Sequence, residues 1–135
     1  NKSDYEIGIG TDSQVIGSKT KYITVVCVYQ FGKGGYYYYK SEYADKHKGE
    51  GANKLRMFEE VSRSITLALL LQEKTGLKPK VHVDASAPDK KAFTSKISEQ
   101  LKGYVISCSF DCMLKPDSYV ASCIADRHSK KKRTK

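Results

Sequence analysis

Three acids in this chain are placed where they can act together: Asp12, Glu60 and Asp84. Asp12 follows the alternating run Tyr5-Glu6-Ile7-Gly8-Ile9-Gly10-Thr11, and Asp84 closes the short run KVHVD at 80–84. If those runs are neighbouring parallel strands, both carboxylates leave the sheet at the edge where open α/β sheets build their ligand sites. Carboxylates brought together repel unless a cation or a shared proton relieves them. Magnesium takes a few carboxylates together with water and phosphate oxygens. Three or four acids around two such ions form the arrangement that hydrolyses a phosphodiester. Taken singly, each acid has an ordinary use: a strand-end Asp often serves a turn, and Asp84 ahead of Pro88 can cap a helix. The coincidence of all three, in one order, carries the chemical reading.

The elements that must position them follow from periodicity. Tyr5 to Thr11 alternates, with Tyr5, Ile7, Ile9 and Thr11 on one side, and is predicted as the first strand. Residues 13–20 read as a loop. Lys21 to Phe31, rich in β-branched and aromatic residues, is the second strand. Gly32-Lys33-Gly34-Gly35 is a hairpin connection, and Tyr36 to Tyr43 the antiparallel third strand. A long helix runs from Asn53, its expected N-cap, to about Lys74, with Met57, Val61, Ser64, Ala68 and Leu71 on one stripe and Gly76 as terminator. Lys80 to Asp84 is a fourth strand. Pro88 opens a second helix to about Lys102, closed by Gly103; Tyr104 to Leu114 is a fifth strand; Pro116 starts a third helix reaching about Arg127. The order β-β-β-α-β-α-β-α predicts an α/β domain, a mixed five-stranded sheet with helices on both faces. It occupies residues 1–129, and residues 130–135 form a basic tail expected to be disordered.

On the long helix Glu60 shares the stripe of Met57, Val61 and Ser64 and is expected to face the sheet, while Glu59 lies with Ser62, Arg63 and Thr66 and is expected to face water. Gly8 and Gly10 share a strand face with Asp12, which leaves room for the helix to approach and bring Glu60 to the cluster.

The ordered set of GTDSQ at 10–14, GKGG at 32–35, LRMFEEVSRS at 55–64, VHVD at 81–84, KPDSYVAS at 115–122 and AD at 125–126 resembles the YkuK-type ribonuclease H-like family of bacteria and spans nearly the whole chain. That resemblance implies a ribonuclease H fold and a nuclease using Mg²⁺ or Mn²⁺, acting on RNA, an RNA–DNA hybrid or structured DNA. Carried over by position, it assigns Asp12, Glu60 and Asp84 to the first three catalytic, metal-holding acids. The fourth is Asp117, in the first turn of the third helix, or Asp126, nine residues on and roughly 13 Å along the axis. Geometry favours Asp117 as a metal ligand; the family's AD pair keeps Asp126 as a catalytic candidate. The alternative is a ribonuclease H-like module that grips nucleic acid without cutting it, and a third reading is a protein-interaction domain.

Composition agrees with an anionic partner. The net charge is +9, but five cations lie in Lys130–Lys135, leaving +4 on residues 1–129. No apolar run approaches the roughly 18 residues of a membrane span, and the first residues lack the apolar stretch of a secretory signal, so no membrane partner is expected. Cys27, Cys108, Cys112 and Cys123 form no CxxC pair, which argues against zinc and for a reducing, cytoplasmic setting; Cys27 and Cys108 fall in runs that read as strands. His82, two residues before Asp84, is expected to be a core histidine, with proton transfer near the metals as the sharper alternative. Tyr36 to Tyr39 is expected to alternate two buried and two exposed rings, or to stack bases on the exposed face. Lys40, Arg56 and Lys115 are candidate phosphate contacts.

Overall fold

In a computed structural model the protein is described over residues 5–30, 34–86 and 92–115. The elements are β1 (Tyr5–Ile16), β2 (Lys19–Gln30), β3 (Gly34–Asp45), α1 (Ala52–Thr75), β4 (Lys80–Ser86), α2 (Ala92–Ser107) and β5 (Asp111–Lys115). They build one sheet in the order β3-β2-β1-β4-β5. β1 to β3 form an antiparallel meander, while β4 pairs parallel with both β1 and β5. This is the expected mixed five-stranded sheet with helices.

β1 is longer than its alternating run suggests. It continues through Asp12 and Ser13 to Ile16, then turns at Gly17-Ser18 directly into β2. Gly17 has φ 61°, a conformation that favours glycine. The expected loop at 13–20 is thus a two-residue hairpin, and Asp12 lies inside a strand rather than beyond its end.

Both described helices cover one face. Ile7 and Ile9 of β1, Val81 and Val83 of β4, Val61, Ile65 and Ala68 of α1, and Ile97, Leu101 and Val105 of α2 form one buried cluster with Phe110. Fully burying such a side chain stabilises the fold by about 1.5–3 kcal/mol each. The Phe58 and Tyr104 rings stack at 6.2 Å and join the two helices. Opposite the helices, Ile23, Val25 and Cys27 are buried on the face shared with Gly8, Gly10 and Asp12, so that face is covered too. Burial pushes the Cys27 thiol up to about 11. The third predicted helix, Cys123 and the basic tail lie outside the described residues.

Helix ends depart from expectation twice. α1 begins after Gly51, a left-handed residue with φ 80°, so Asn53 is inside the helix and is not its cap. Its other end is as expected: Gly76 is left-handed and its N–H donates to the Gln72 carbonyl at 2.9 Å. α2 passes straight through Gly103 to Ser107, because Ile97, Leu101 and Val105 form a continuous buried stripe. The apolar run after Gly103 is therefore helical, β5 starts only at Asp111, and Cys108 sits in the turn between them. Ser109, at φ 69°, takes the left-handed position usually given to glycine. Its N–H donates to Ile106 and that of Phe110 to Val105, a Schellman closure. None of the described helices is long and apolar enough to cross a membrane.

Candidate active site at the end of the parallel ladder

The parallel pairing of β1 with β4 runs from Gly8 opposite Lys80 to Gly10 opposite His82 and stops there. β1 itself continues, held on its other side by β2 as far as Ile16. Asp12 and the backbone of Asp84 are each two residues beyond the last parallel pair. Beyond His82 the β4–β5 register also shifts before resuming at Ser86. The two acids thus share the carboxyl end of the parallel β1–β4 ladder, where the pairing stops.

α1 reaches this end through two matched rungs. Ser64 Oγ lies 2.7 Å from Thr11 Oγ1, which is itself 3.1 Å from Thr24 Oγ1. One turn earlier on α1, Glu60 accepts a hydrogen bond from Ser13 Oγ at 2.5 Å. A four-residue helical step rises about 6 Å, and a two-residue strand step about 6.6 Å. The helix therefore runs antiparallel to β1 with its carboxylate one residue from Asp12. Three buried hydroxyls satisfying one another contribute about 1 kcal/mol per bond and fix that register.

This geometry corrects the expected route of approach. Thr11 and Ser13 face α1, so strand alternation turns Asp12, Gly8 and Gly10 to the opposite side. The space above Gly8 belongs to His82: a Cβ on Gly8 would stand 2.8 Å from His82 Nε2 and 3.1 Å from Cδ2. The imidazole thus stands over Gly8, two residues before its ladder partner Gly10. Burial holds its pKa below the ordinary value, with Glu6 opposing and Lys80 reinforcing the shift. Its Nδ1 is buried without a hydrogen-bond partner among the described residues. Lys80 and Glu6 pair across the ladder at 2.8 Å.

Residues that the motifs do not single out back the site. Arg63 lies over the Tyr22 ring, 4.4 Å from its centroid, and donates to Glu59 at 2.8 Å and Glu42 at 2.6 Å. Tyr22 is the cross-strand neighbour of Ser13. Burial, with Glu59 next, raises the Tyr22 pKa. Glu59 is therefore a half-buried partner of Arg63, not a solvated acid. The signal for this cluster was its i, i+4 spacing with Arg63; its target on β2 was not visible. Arg56, four residues before Glu60, has a buried Nε with no partner among the described residues. Lys40 is exposed, 3.9 Å from Glu42.

Among the described residues no three acids, histidines or cysteines gather into a group that could hold a metal. Asp117 and Asp126 lie outside the described residues, as do the side chains of Asp84 and Lys115. The expected burial alternation of the tyrosine run is not observed: Tyr37, Tyr38 and Tyr39 are all exposed, at 38%, 62% and 51%.

Residues 1–130 match the Ribonuclease H-like family. The chain belongs to that family. It is 28% identical to the uncharacterized protein YkuK of Bacillus subtilis (strain 168) over 143 residues, covering 96% of this chain and 81% of the relative. Among solved structures it is similar to human ENDOV, with a TM-score of 0.40 and 22% identity over 64% of this chain. The catalytic domain of human Endonuclease V gives a TM-score of 0.41 and 24% identity over the same share. The similarity spans 36% of each of those chains.

Proposed function

We propose that this ribonuclease H-like protein is a divalent-metal-dependent nuclease that hydrolyses phosphodiester bonds of RNA, an RNA–DNA hybrid or structured DNA. The observation that carries the reading is the hydrogen bond from Ser13 to Glu60, which holds a helical carboxylate at the strand level next to Asp12, where the β1–β4 ladder ends. Asp12 and Glu60 come from opposite faces of the sheet, at the level where the β1–β4 pairing stops, and a metal ion between them would have to be reached past the end of that ladder. Their oxygen-only chemistry suits Mg²⁺ or Mn²⁺, with Asp84 and either Asp117 or Asp126 completing the set. Bound there, the ions supply an activated water and neutralise the departing oxygen.

The chain's own residues orient Glu60. Ser13 fixes the rotamer of Glu60, and the Thr11–Ser64 contact fixes the height of α1 over β1. Arg56, one helical turn from Glu60, is placed to meet a phosphate.

The test is cleavage of labelled RNA, RNA–DNA hybrid and branched DNA, with and without Mn²⁺. Metal-dependent cleavage abolished by Asp12→Asn and by Glu60→Gln is expected, with Ser13→Ala reducing it about 10–100-fold, as loss of an orienting contact does. Binding of nucleic acid without cleavage would replace this reading with a gripping module. Full activity of Asp12→Asn would remove the site from the mechanism.

A further inference from the structure

β3 is the edge of the sheet, and its exposure is unusual. It pairs with β2 through twelve consecutive residues, from Gly34 to Asp45, without a register shift. No proline interrupts it. Tyr37, Tyr38, Tyr39 and Tyr43 are exposed at 38%, 62%, 51% and 58%. A long, regular edge strand with no proline or bulge has only its charges, Lys40, Glu42 and Asp45, to oppose edge-to-edge pairing.

We infer that β3 pairs antiparallel with β3 of a second copy of this chain, about a two-fold axis at Ser41, to make one continuous sheet. The register follows from charge. A two-fold axis perpendicular to the sheet keeps each residue opposite one on the same face, so the axis passes through a residue. Centred on Lys40 it sets two lysines against each other, and centred on Glu42 two glutamates. Centred on Ser41 it sets Lys40 opposite Glu42 in both directions and Tyr39 opposite Tyr43. Cross-strand pairs of opposite charge and of aromatic rings are the stabilising ones. Lys40 and Glu42 already share a strand face, with Glu42 oriented by Arg63 at 2.6 Å. A nucleic-acid strand fits this edge less well, because β3 carries one lysine against Glu42 and Asp45.

Ser41→Cys is the decisive probe. Directly opposed residues of an antiparallel pair lie about 4.5–5.5 Å apart between Cα atoms, within disulfide range. Tyr43→Cys is the control: two copies of residue 43 would stand four strand residues apart, about 13 Å. Oxidation should cross-link Ser41→Cys into a dimer and leave Tyr43→Cys and the parent chain uncross-linked. In sedimentation velocity the parent chain should reach twice the chain mass. Lys40→Glu and Glu42→Lys should each weaken association by at least about tenfold, and the exchanged double variant should recover most of it. The inference is overturned by a parent chain that stays monomeric, by equal cross-linking at the two positions, or by no recovery in the double variant. Association seen only after an oligonucleotide is added would overturn it in favour of a nucleic-acid platform.

Discussion

Gly8→Ala tests how the sheet end that bears Asp12 is assembled. A Cβ at this position meets His82 Nε2 at 2.8 Å and Cδ2 at 3.1 Å. Comfortable heavy-atom contacts lie at about 3.5–4.0 Å, so the imidazole must retreat by roughly 0.7 Å. Retreat is restricted, because Nδ1 is already buried and Val81 and Val83 on either side are locked in the core. Overpacking of this kind costs about 1–3 kcal/mol. Replacing glycine also removes unfolded-state entropy, which returns about 0.4–1 kcal/mol. The net expectation is a loss of about 1–2 kcal/mol, or about 3–8 °C in Tm for a chain of this size. Urea denaturation measures it, and the double variant with His82→Ala decides its cause. In the His82→Ala background, alanine at position 8 should cost nothing or stabilise slightly, giving a coupling of about 1–2 kcal/mol. An unchanged cost in that background would refute the steric account and return the gap above Gly8 to some other neighbour.

Three further outcomes follow from the same geometry. His82 has a folded pKa below its unfolded value of about 6.5, so the unfolded chain binds the proton more readily. Its contribution should be complete above that value, fall as pH drops through the window between the unfolded and folded pKa, and level off below it; His82→Gln should flatten this limb in urea midpoints measured against pH, and an unchanged limb would reject the assignment. Thr11→Val strands both Ser64 and Thr24 and should cost about 1–3 kcal/mol, against about 1 kcal/mol for Ser64→Ala, which leaves Thr11 its 3.1 Å contact with Thr24; equal costs in denaturation would show that Thr11 is not the hub. Deleting Lys130–Lys135 removes five cations and should lower the slope of log affinity against log salt for single-stranded nucleic acid by up to about 3.5, while turnover at saturating substrate stays unchanged; affinity titrations at several salt concentrations check it, and an unaltered slope would exclude a role for the tail.

The sequence by itself determined the meander, the long helix and the order of the elements, because their periodicities are local and strong. It also determined that Glu60 rather than Glu59 turns toward β1, since Val61, Ser64 and Ala68 mark the buried stripe of α1. Only the tertiary structure decided which face of β1 that helix covers. Alternation offers two faces, and glycines on one of them read equally well as room for a helix or for a ring; His82, 74 residues away, filled the space over Gly8. The role of Ser13 has no local signal for the same reason, as its partner Glu60 is 47 residues distant. Gly103 looked like a helix end because glycine often is one. The burial of Val105 and Phe110, a property of the assembled core, carried α2 onward to a serine-built closure. The tyrosines of β3 read as half-buried because alternation presumes a covered face. Their exposure follows from β3 standing at the edge of the sheet, a position set by strand order, which no local pattern encodes.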